Sequence, residues 1–355
     1  MKSLRFQIPA RICFFGDHQD YLSLPVIAGT INKYLYVEAL PTNRPYFDIS
    51  LPNINKSFSL SVHKPESLAA PTNYFESGLH YFWKRNDAFN QGYTLTIWSD
   101  IPINAGLSSS SALVVGWLRF LCTVSLKKPA PSLKELGQWA YEVEVVAFDQ
   151  PGGLMDQYTI AQGGLLFIDT DSQQSHALPI PSFQWVVAES GVAKKTLEVL
   201  SDARTKQQQA LSQIQAIDPT FNIQQCVAKD YDRYVKTVAP NLQSYWYAAI
   251  HNYVITQKAL KAFQFNPNAM EIGNLLNAHQ HILTHYIGNT PSKLVRMLNE
   301  ANKAGALGAK IIGSGGGGCL VALVTEKTQE GVIDAFLRAG AHKAYRVELI
   351  PSVYV

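Results

Sequence analysis

The residues 102–112, Pro-Ile-Asn-Ala-Gly-Leu-Ser-Ser-Ser-Ser-Ala, place Gly106 and four consecutive serines directly before an apolar run. Small residues let backbone N–H groups turn into a shared concavity, and a helix starting there offers its positive end, so the loop suits a phosphate. The serine hydroxyls can add contacts to phosphate oxygens or to a magnesium ion. The loop is not the common phosphate loop, because no Gly-Lys-Ser/Thr follows. A plain serine cap is the alternative, but four serines exceed what capping requires. A second loop, Gly313-Ser314-Gly315-Gly316-Gly317-Gly318, lies between two apolar strand patterns. Glycines at this density are entropically costly, whereas a hairpin needs only one or two. Close approach to a ligand is therefore expected rather than a plain turn, the loop lying beside a nucleotide or supporting the first loop.

Three carboxylate-bearing segments stand out besides these loops. Asp17, His18 and Asp20 emerge just after a strand pattern and can read neighbouring hydroxyls, or else form a solvated turn with Gly16. Asp156, in the run 151–157 after a helix pattern, can accept a proton from a hydroxyl or orient that hydroxyl for in-line attack; capping a helix is its other reading. Glu144, twelve residues earlier on the preceding helix, can reach magnesium or simply face solvent. His279, His281 and His285 have helical spacing, but the glutamate of a zinc-binding HExxH is missing, so no metal is expected there. No Cys–His or similar nucleophile-and-base pair appears.

Positioning these groups takes more than one domain's worth of chain: 355 residues suggest two. Strand patterns occupy residues 6–8, 11–15, 34–39, 47–51 and 93–98, and helix patterns residues 74–89, 112–124 and 133–147. A strand at 164–169 closes an N-terminal α/β half, residues 1–178. The second half, 179–355, opens with a strand at 184–190 and continues with a helical region over 194–283. It then returns to strand–helix–strand texture. Composition excludes other classes. Only 16% of residues are charged, the net charge is +3, and there are 17 Tyr and 16 Phe, which argues against disorder and against a nucleic-acid partner. No apolar run approaches membrane-spanning length, and Arg5 and Arg11 interrupt any secretory signal. Four scattered cysteines without a CxxC pair fit reduced thiols, so a cytoplasmic protein is expected, without membrane partner, as a monomer or homodimer.

Taken together, the motifs resemble those of the GHMP kinase superfamily, and within it the galactokinases. GDHQDY at residues 16–21 is similar to the sugar signature GEHTDY, and residues 102–112 to the phosphate loop PxGxGLSSSA. GGLMDQ at 152–157 matches CGIMDQ at all but two positions, and GSGGGGC at 313–319 is similar to GGGFGGC. The segment 189–192, ESGV, is similar to a strand end that follows in those proteins.

This resemblance implies an α+β, two-domain GHMP kinase fold. Its N-terminal domain would be like part of ribosomal protein S5, its C-terminal domain ferredoxin-like, with the site between them. It implies ATP and Mg2+ as cofactors and phosphorylation of galactose or a related sugar at the anomeric hydroxyl. Asp156 would be the catalytic aspartate, with Arg11 paired to it. Asp17, His18 and Asp20 would hold sugar hydroxyls, and Gly153 would back the ring. Asn104, Ala105, Gly106, Leu107, Ser108, Ser109, Ser110, Ser111, Gly315 and Gly316 would bind ATP, and Ser110 with Glu144 would hold the metal. Several positions depart from the pattern. Asp17 is one methylene shorter than the usual Glu, and Ser201 replaces the tyrosine of a sugar-contacting YxxR segment. A sensor of ATP and sugar on the same fold, and a mevalonate-type kinase, are the competing expectations. The latter acceptor is a carboxylate and would want a cation near Asp17, His18 and Asp20.

Overall fold

The computed structural model describes residues 3–193, 196–265 and 267–352. Its first strand, β1 (Leu4–Phe15), runs antiparallel to β2 (Val26–Thr42), with a register shift between Pro9 and Ala10. The sequence patterns at 6–8 and 11–15 are therefore one strand. Pro9 has no N–H to give the ladder, and the irregularity beside it accommodates that loss. The other edge of β2 pairs first with β6 (Leu165–Asp169) and then with β5 (Gly92–Ser99). Strand β3 (Tyr46–Leu51) lies parallel to β5, β4 (Lys56–Ser61) antiparallel to β3, and β7 (Gln174–Leu178) outside β6. Seven strands result, in the order β4-β3-β5-β2-β6-β7 with β1 on β2.

Helices α1 (Tyr74–Lys84), α2 (Ser109–Val124), α3 (Leu133–Glu144) and α4 (Met155–Gln162) pack with this sheet. Helix α2 is apolar around most of its circumference and lies in the interior, with Val114, Trp117, Leu118, Phe120 and Leu121 all buried. Asn73 caps α1 and Ser132 forms a capping box with Glu135 on α3. Helix α2 has no such cap.

Between Leu178 and Gln184 the chain crosses to a second, antiparallel sheet. It joins β8 (Gln184–Glu189), β9 (Gly308–Ile311), β10 (Cys319–Val324) and β11 (Lys343–Val347) in the order β11-β8-β10-β9. Every residue of β10 is buried, as its unbroken apolar run requires. Among the helices of this half, α5 (Thr196–Ile217), α6 (Lys229–Tyr234), α7 (Gln243–Gln264) and α8 (Ala269–Ile282) fill the long helical region, whose expected first residue lies outside the described residues. Helices α9 (Ser292–Lys303) and α10 (Gln329–Arg338) pack with the second sheet.

One apolar cluster runs through both halves. Phe14 of β1 meets Trp185 of β8 with ring centroids 4.7 Å apart, and Phe15 meets Phe263 of α7. The chain also returns to its beginning: Leu349 bridges Ile31, and the Ile350 N–H donates to the Thr30 carbonyl at 3.0 Å.

Candidate active site

Arg11 sits on β1 just past the irregularity at Pro9–Ala10, buried between the sheet and α4. Its Nε and Nη2 donate to the two carboxylate oxygens of Asp156, at 2.7 and 2.9 Å, and Nη1 donates to the Gly106 carbonyl at 2.6 Å. Burial works against the guanidinium's charge, but Asp156 overrides it and raises the Arg11 pKa. Asp156 lies in the first turn of α4 without capping it, and its side chain remains 28% exposed. The Ser108 hydroxyl donates to Asp156 Oδ2 at 2.5 Å. So Ser108, the residue preceding α2, spends its hydroxyl on the carboxylate rather than on the helix. No side chain caps α2, whose first turn starts three residues before the sequence pattern placed it.

The turn after β1 folds back tightly. Gly16 has φ +94°, and a Cβ there would lie 2.8 Å from the Pro25 carbonyl and from Val26. This turn carries Asp17, His18 and Asp20, yet the structure puts them to three different uses. Asp17 Oδ2 takes a bond from Lys310 Nζ of β9 at 2.6 Å, and both side chains are fully buried. Burial pushes Asp17 upward, but Lys310 prevails and holds it below the ordinary carboxylate value. Its one-methylene-shorter side chain is thus half of an internal ion pair, with Oδ1 buried and without a hydrogen-bond partner. His18 Nε2 lies 2.9 Å from the Ser314 carbonyl and 3.0 Å from Asn289 Nδ2, and its Nδ1 lies 3.1 Å from the Tyr21 hydroxyl. His18 therefore ties this turn to the glycine loop of the second half.

Asp20 faces the chamber at Asp156. Burial, then the charge of Asp156, pushes its pKa up to about 6. Gly153 lies hard against it, since a Cβ there would stand 2.1 Å from Asp20 Oδ2. The chamber has a volume of about 160 Å3 and is bounded by Arg11, Asp17, His18, Asp20, Ser110, Glu144 and Asp156, among others. Glu144, the last residue of α3, is buried rather than solvent-facing. It accepts from Gln157 Nε2 at 2.7 Å and interacts with the Ser110 and Ser111 hydroxyls, while burial raises its pKa.

A larger groove of about 740 Å3 lies between the two sheets. Asn104 and Ala105 of the serine loop line it, with the 190–193 turn, Gly318, Lys33, His342 and Tyr345. Its volume is that of a small-molecule site. The 104–111 loop thus starts in the groove and ends, at Ser110 and Ser111, in the chamber.

The glycine loop departs from expectation. Gly315 and Gly316 do not line the groove; a Cβ on Gly315 would meet Asn289, and the Gly316 N–H donates to the Asn289 carbonyl at 2.6 Å. Gly318 lines it instead, at φ +86°, with a Cβ position 2.6 Å from the Ala105 carbonyl. The Cys319 N–H donates to that same carbonyl at 2.7 Å. The close approach that demands these glycines is that of neighbouring backbone, and the loop braces the serine loop. Ser109 is half-buried, and Leu107 is wholly buried, contributing only backbone there. The histidines divide: His279 is buried against Phe15, its pKa pushed down to about 3 by burial and Lys310, while His281 and His285 are exposed with their ring centroids 4.4 Å apart. Among the described residues no His, Cys, Asp and Glu group of three is placed to hold a metal.

Sequence reasoning missed Lys310, Asn289 and Gln157. Lys310 had a signal, a lone cation inside an apolar strand pattern, which in a buried strand must find a partner.

Comparison with known proteins adds a second line. Residues 73–164 match the family model for the GHMP kinases N terminal domain, and residues 257–342 match that for GHMP kinases C terminal. The mevalonate kinase of Thermococcus onnurineus is 28% identical over 338 residues, covering 91% of this chain and 89% of that one. The galactokinase of Thermococcus kodakarensis is 26% identical over 334 residues, covering 90% and 89%. Lactococcus lactis galactokinase, solved in complex with galactose, superposes with a TM-score of 0.85 at 22% identity, covering 99% of this chain and 94% of that one.

Proposed function

Because the chain belongs to the GHMP kinases, in a two-domain, mixed α+β fold, we propose that it transfers the γ-phosphoryl group of ATP to the anomeric hydroxyl of galactose or a related monosaccharide. One observation carries the choice of acceptor. The only cation among the described residues lining the chamber is Arg11, and both Asp156 oxygens engage it. Among the described residues, a carboxylate acceptor would meet Asp20 and Asp156 with no free cation to receive it. A polyhydroxylated neutral ring suits these acceptors better.

ATP occupies the groove between the sheets, its phosphates lying along the serine loop toward the uncapped end of α2, where N–H groups and the helix dipole favour negative charge. Asn104, Ala105 and Gly106 lead the phosphates in, and Ser109 and Ser110 receive them. Asp156 accepts a hydrogen bond from the acceptor hydroxyl and takes its proton as the new O–P bond forms and the γ-phosphorus parts from the bridging oxygen, which leaves with ADP. Arg11 fixes both carboxylate oxygens and offsets the negative charge that develops there. Asp20 accepts from sugar hydroxyls, and Gly153, lacking a Cβ, leaves Asp20 the room to do so. Asp17 acts from behind the pocket, as Lys310 neutralises it.

Glu144, Ser110 and Ser111 fit a magnesium ion: they are hard oxygen donors, and Glu144 is a buried carboxylate whose charge a cation would satisfy. When bound, that ion would neutralise phosphate charge and leave the protein to supply positioning.

A second reading, an acyclic hydroxy acid such as mevalonate, is favoured by the 28% identity to a mevalonate kinase. ADP release with Mg-ATP, measured on galactose, arabinose, N-acetylgalactosamine, a heptose, galacturonate and mevalonate, separates the two. Turnover on a neutral sugar that Asp156→Ala abolishes supports the proposal; turnover on mevalonate alone overturns it. Sugar-dependent ATP binding without turnover identifies a sensor.

A further inference from the structure

A cavity of about 310 Å3 lies on the far side of Asp20 from the chamber at Asp156. Asp20, Val145, Gln150, Gly152 and Gly153 line both spaces, so the contact between Asp20 and Gly153 is the partition between them. The chamber alone, at 160 Å3, falls short of the roughly 300–1,000 Å3 usual for a small-molecule site, and joined to its neighbour it enters that range.

The walls of the second cavity carry a definite chemistry. Tyr21 and Tyr141 bring aromatic side chains, Gln173 brings an amide, and Arg204 and Asp149 bring one charge of each sign, while the Tyr21 and Thr170 hydroxyls are engaged by His18 and by the Leu24 carbonyl. Arg204 Nη1 also donates to the Pro151 carbonyl at 3.4 Å, beside the glycine pair at the partition. One cation against Asp149 and Asp20 leaves no positive excess for a phosphate or a carboxylate. Mixed donors and acceptors with flat apolar faces suit a neutral, hydroxyl-rich group.

Resting on the kinase reading of the adjoining chamber, we infer that this cavity is the second half of the acceptor site, and that the acceptor extends beyond a single hexose, carrying a second sugar ring or a polyol arm. The reacting hydroxyl lies at Asp156, and the extension passes Asp20 into the annex. Asp20 then reads hydroxyls on either side of the junction.

The test uses the full chain with Mg-ATP on galactose, a heptose, and the reducing disaccharides lactose and melibiose, for the parent and for Val146→Trp. Val146 is 57% exposed on the rim of the annex, so the larger side chain narrows the cavity without disturbing a core. The expected result is kcat/KM at least tenfold higher on one extended sugar than on galactose. Val146→Trp should lower that value at least tenfold and leave galactose unchanged. Galactose turnover that exceeds every extended sugar, or a Val146→Trp effect equal on all of them, overturns the annex while leaving the kinase intact. Absence of turnover on every sugar, galactose included, removes the kinase reading and the annex with it.

Discussion

Lys310 Nζ stands 2.6 Å from Asp17 Oδ2, and neither side chain is reached by solvent. Lys310 also donates to the Cys13 and Ile311 carbonyls, so its three donors are all engaged. The pair joins the turn after β1 to the second sheet, directly behind the chamber. Lys310→Met should cost about 3–5 kcal/mol, because it strands a buried carboxylate. Replacing both partners, Asp17→Asn with Lys310→Met, should recover much of that loss. Urea unfolding at pH 7 measures it, and a single-variant loss below about 1 kcal/mol would refute the assignment. Since Lys310 holds Asp17 below its ordinary value, the contribution is complete above about pH 4 and is lost on further acidification.

Asp20 behaves in the opposite sense. Its folded pKa is raised to about 6, so its favourable contribution exists at acid pH and disappears as pH rises through 6. At pH 8 the folded protein holds a confined carboxylate that water would solvate better. Asp20→Asn should therefore stabilise the unliganded protein by up to about 3 kcal/mol at pH 8, at about 1.4 kcal/mol per unit of displacement, with the gain gone at pH 4. Unfolding midpoints at pH 4, 6 and 8 test the trend. The same variant should raise the KM for the sugar.

At the reacting centre, Asp156→Asn keeps size and removes the acceptor of the proton; kcat should fall by about 10²–10⁴-fold. Arg11→Lys retains a charge but not the two-pronged contact, and loss of one charge-assisted bond, at about 1.5–3 kcal/mol, should lower kcat roughly 10–100-fold. Stopped assays of ADP formation at saturating ATP and sugar are the measurement. Equal kcat for Arg11→Lys and parent would show that the bidentate geometry is irrelevant.

Gly318→Ala places a methyl 2.6 Å from the Ala105 carbonyl at φ +86°. The strain, about 1–3 kcal/mol, falls on the brace between the two loops. The KM for ATP should rise about tenfold while the KM for the acceptor stays within twofold. Equal changes in both would mean that the brace does not act on the nucleotide side.

Glu144→Gln tests the metal ligands. The concentration of magnesium giving half-maximal rate should rise at least tenfold, with the KM for sugar unaltered. An unchanged magnesium requirement would place the ion elsewhere.

Particular residues show how far local pattern carries. The serine loop, Asp156 and Asp20 stood out by residue type and spacing, and Arg11 only through the family resemblance; the structure gathers them around one chamber. Most strands were legible from apolar runs, but the largely exposed edge strands β4 and β7 and the first part of β2 were not, and Pro9 hid the one-strand character of β1. What pattern did not show is long-range pairing. Nothing near Asp17 in sequence announces Lys310, and nothing near His18 announces Asn289, because these partners lie some 270–293 residues away. The glycine loop was expected to face a ligand; the atoms that approach it are those of Ala105 and Asn289, which local sequence does not announce.

The pairing of residues 348–350 with Thr30 and Asn32 has a consequence for the order of events during synthesis. The Glu348 N–H donates to Asn32 Oδ1 across 316 residues, so the ribosome builds β2 long before its last neighbour exists. At about 5–20 residues per second, that interval is of the order of tens of seconds. Until then Thr30 and Ile31 lack the backbone partners that Ile350 and Leu349 later bring.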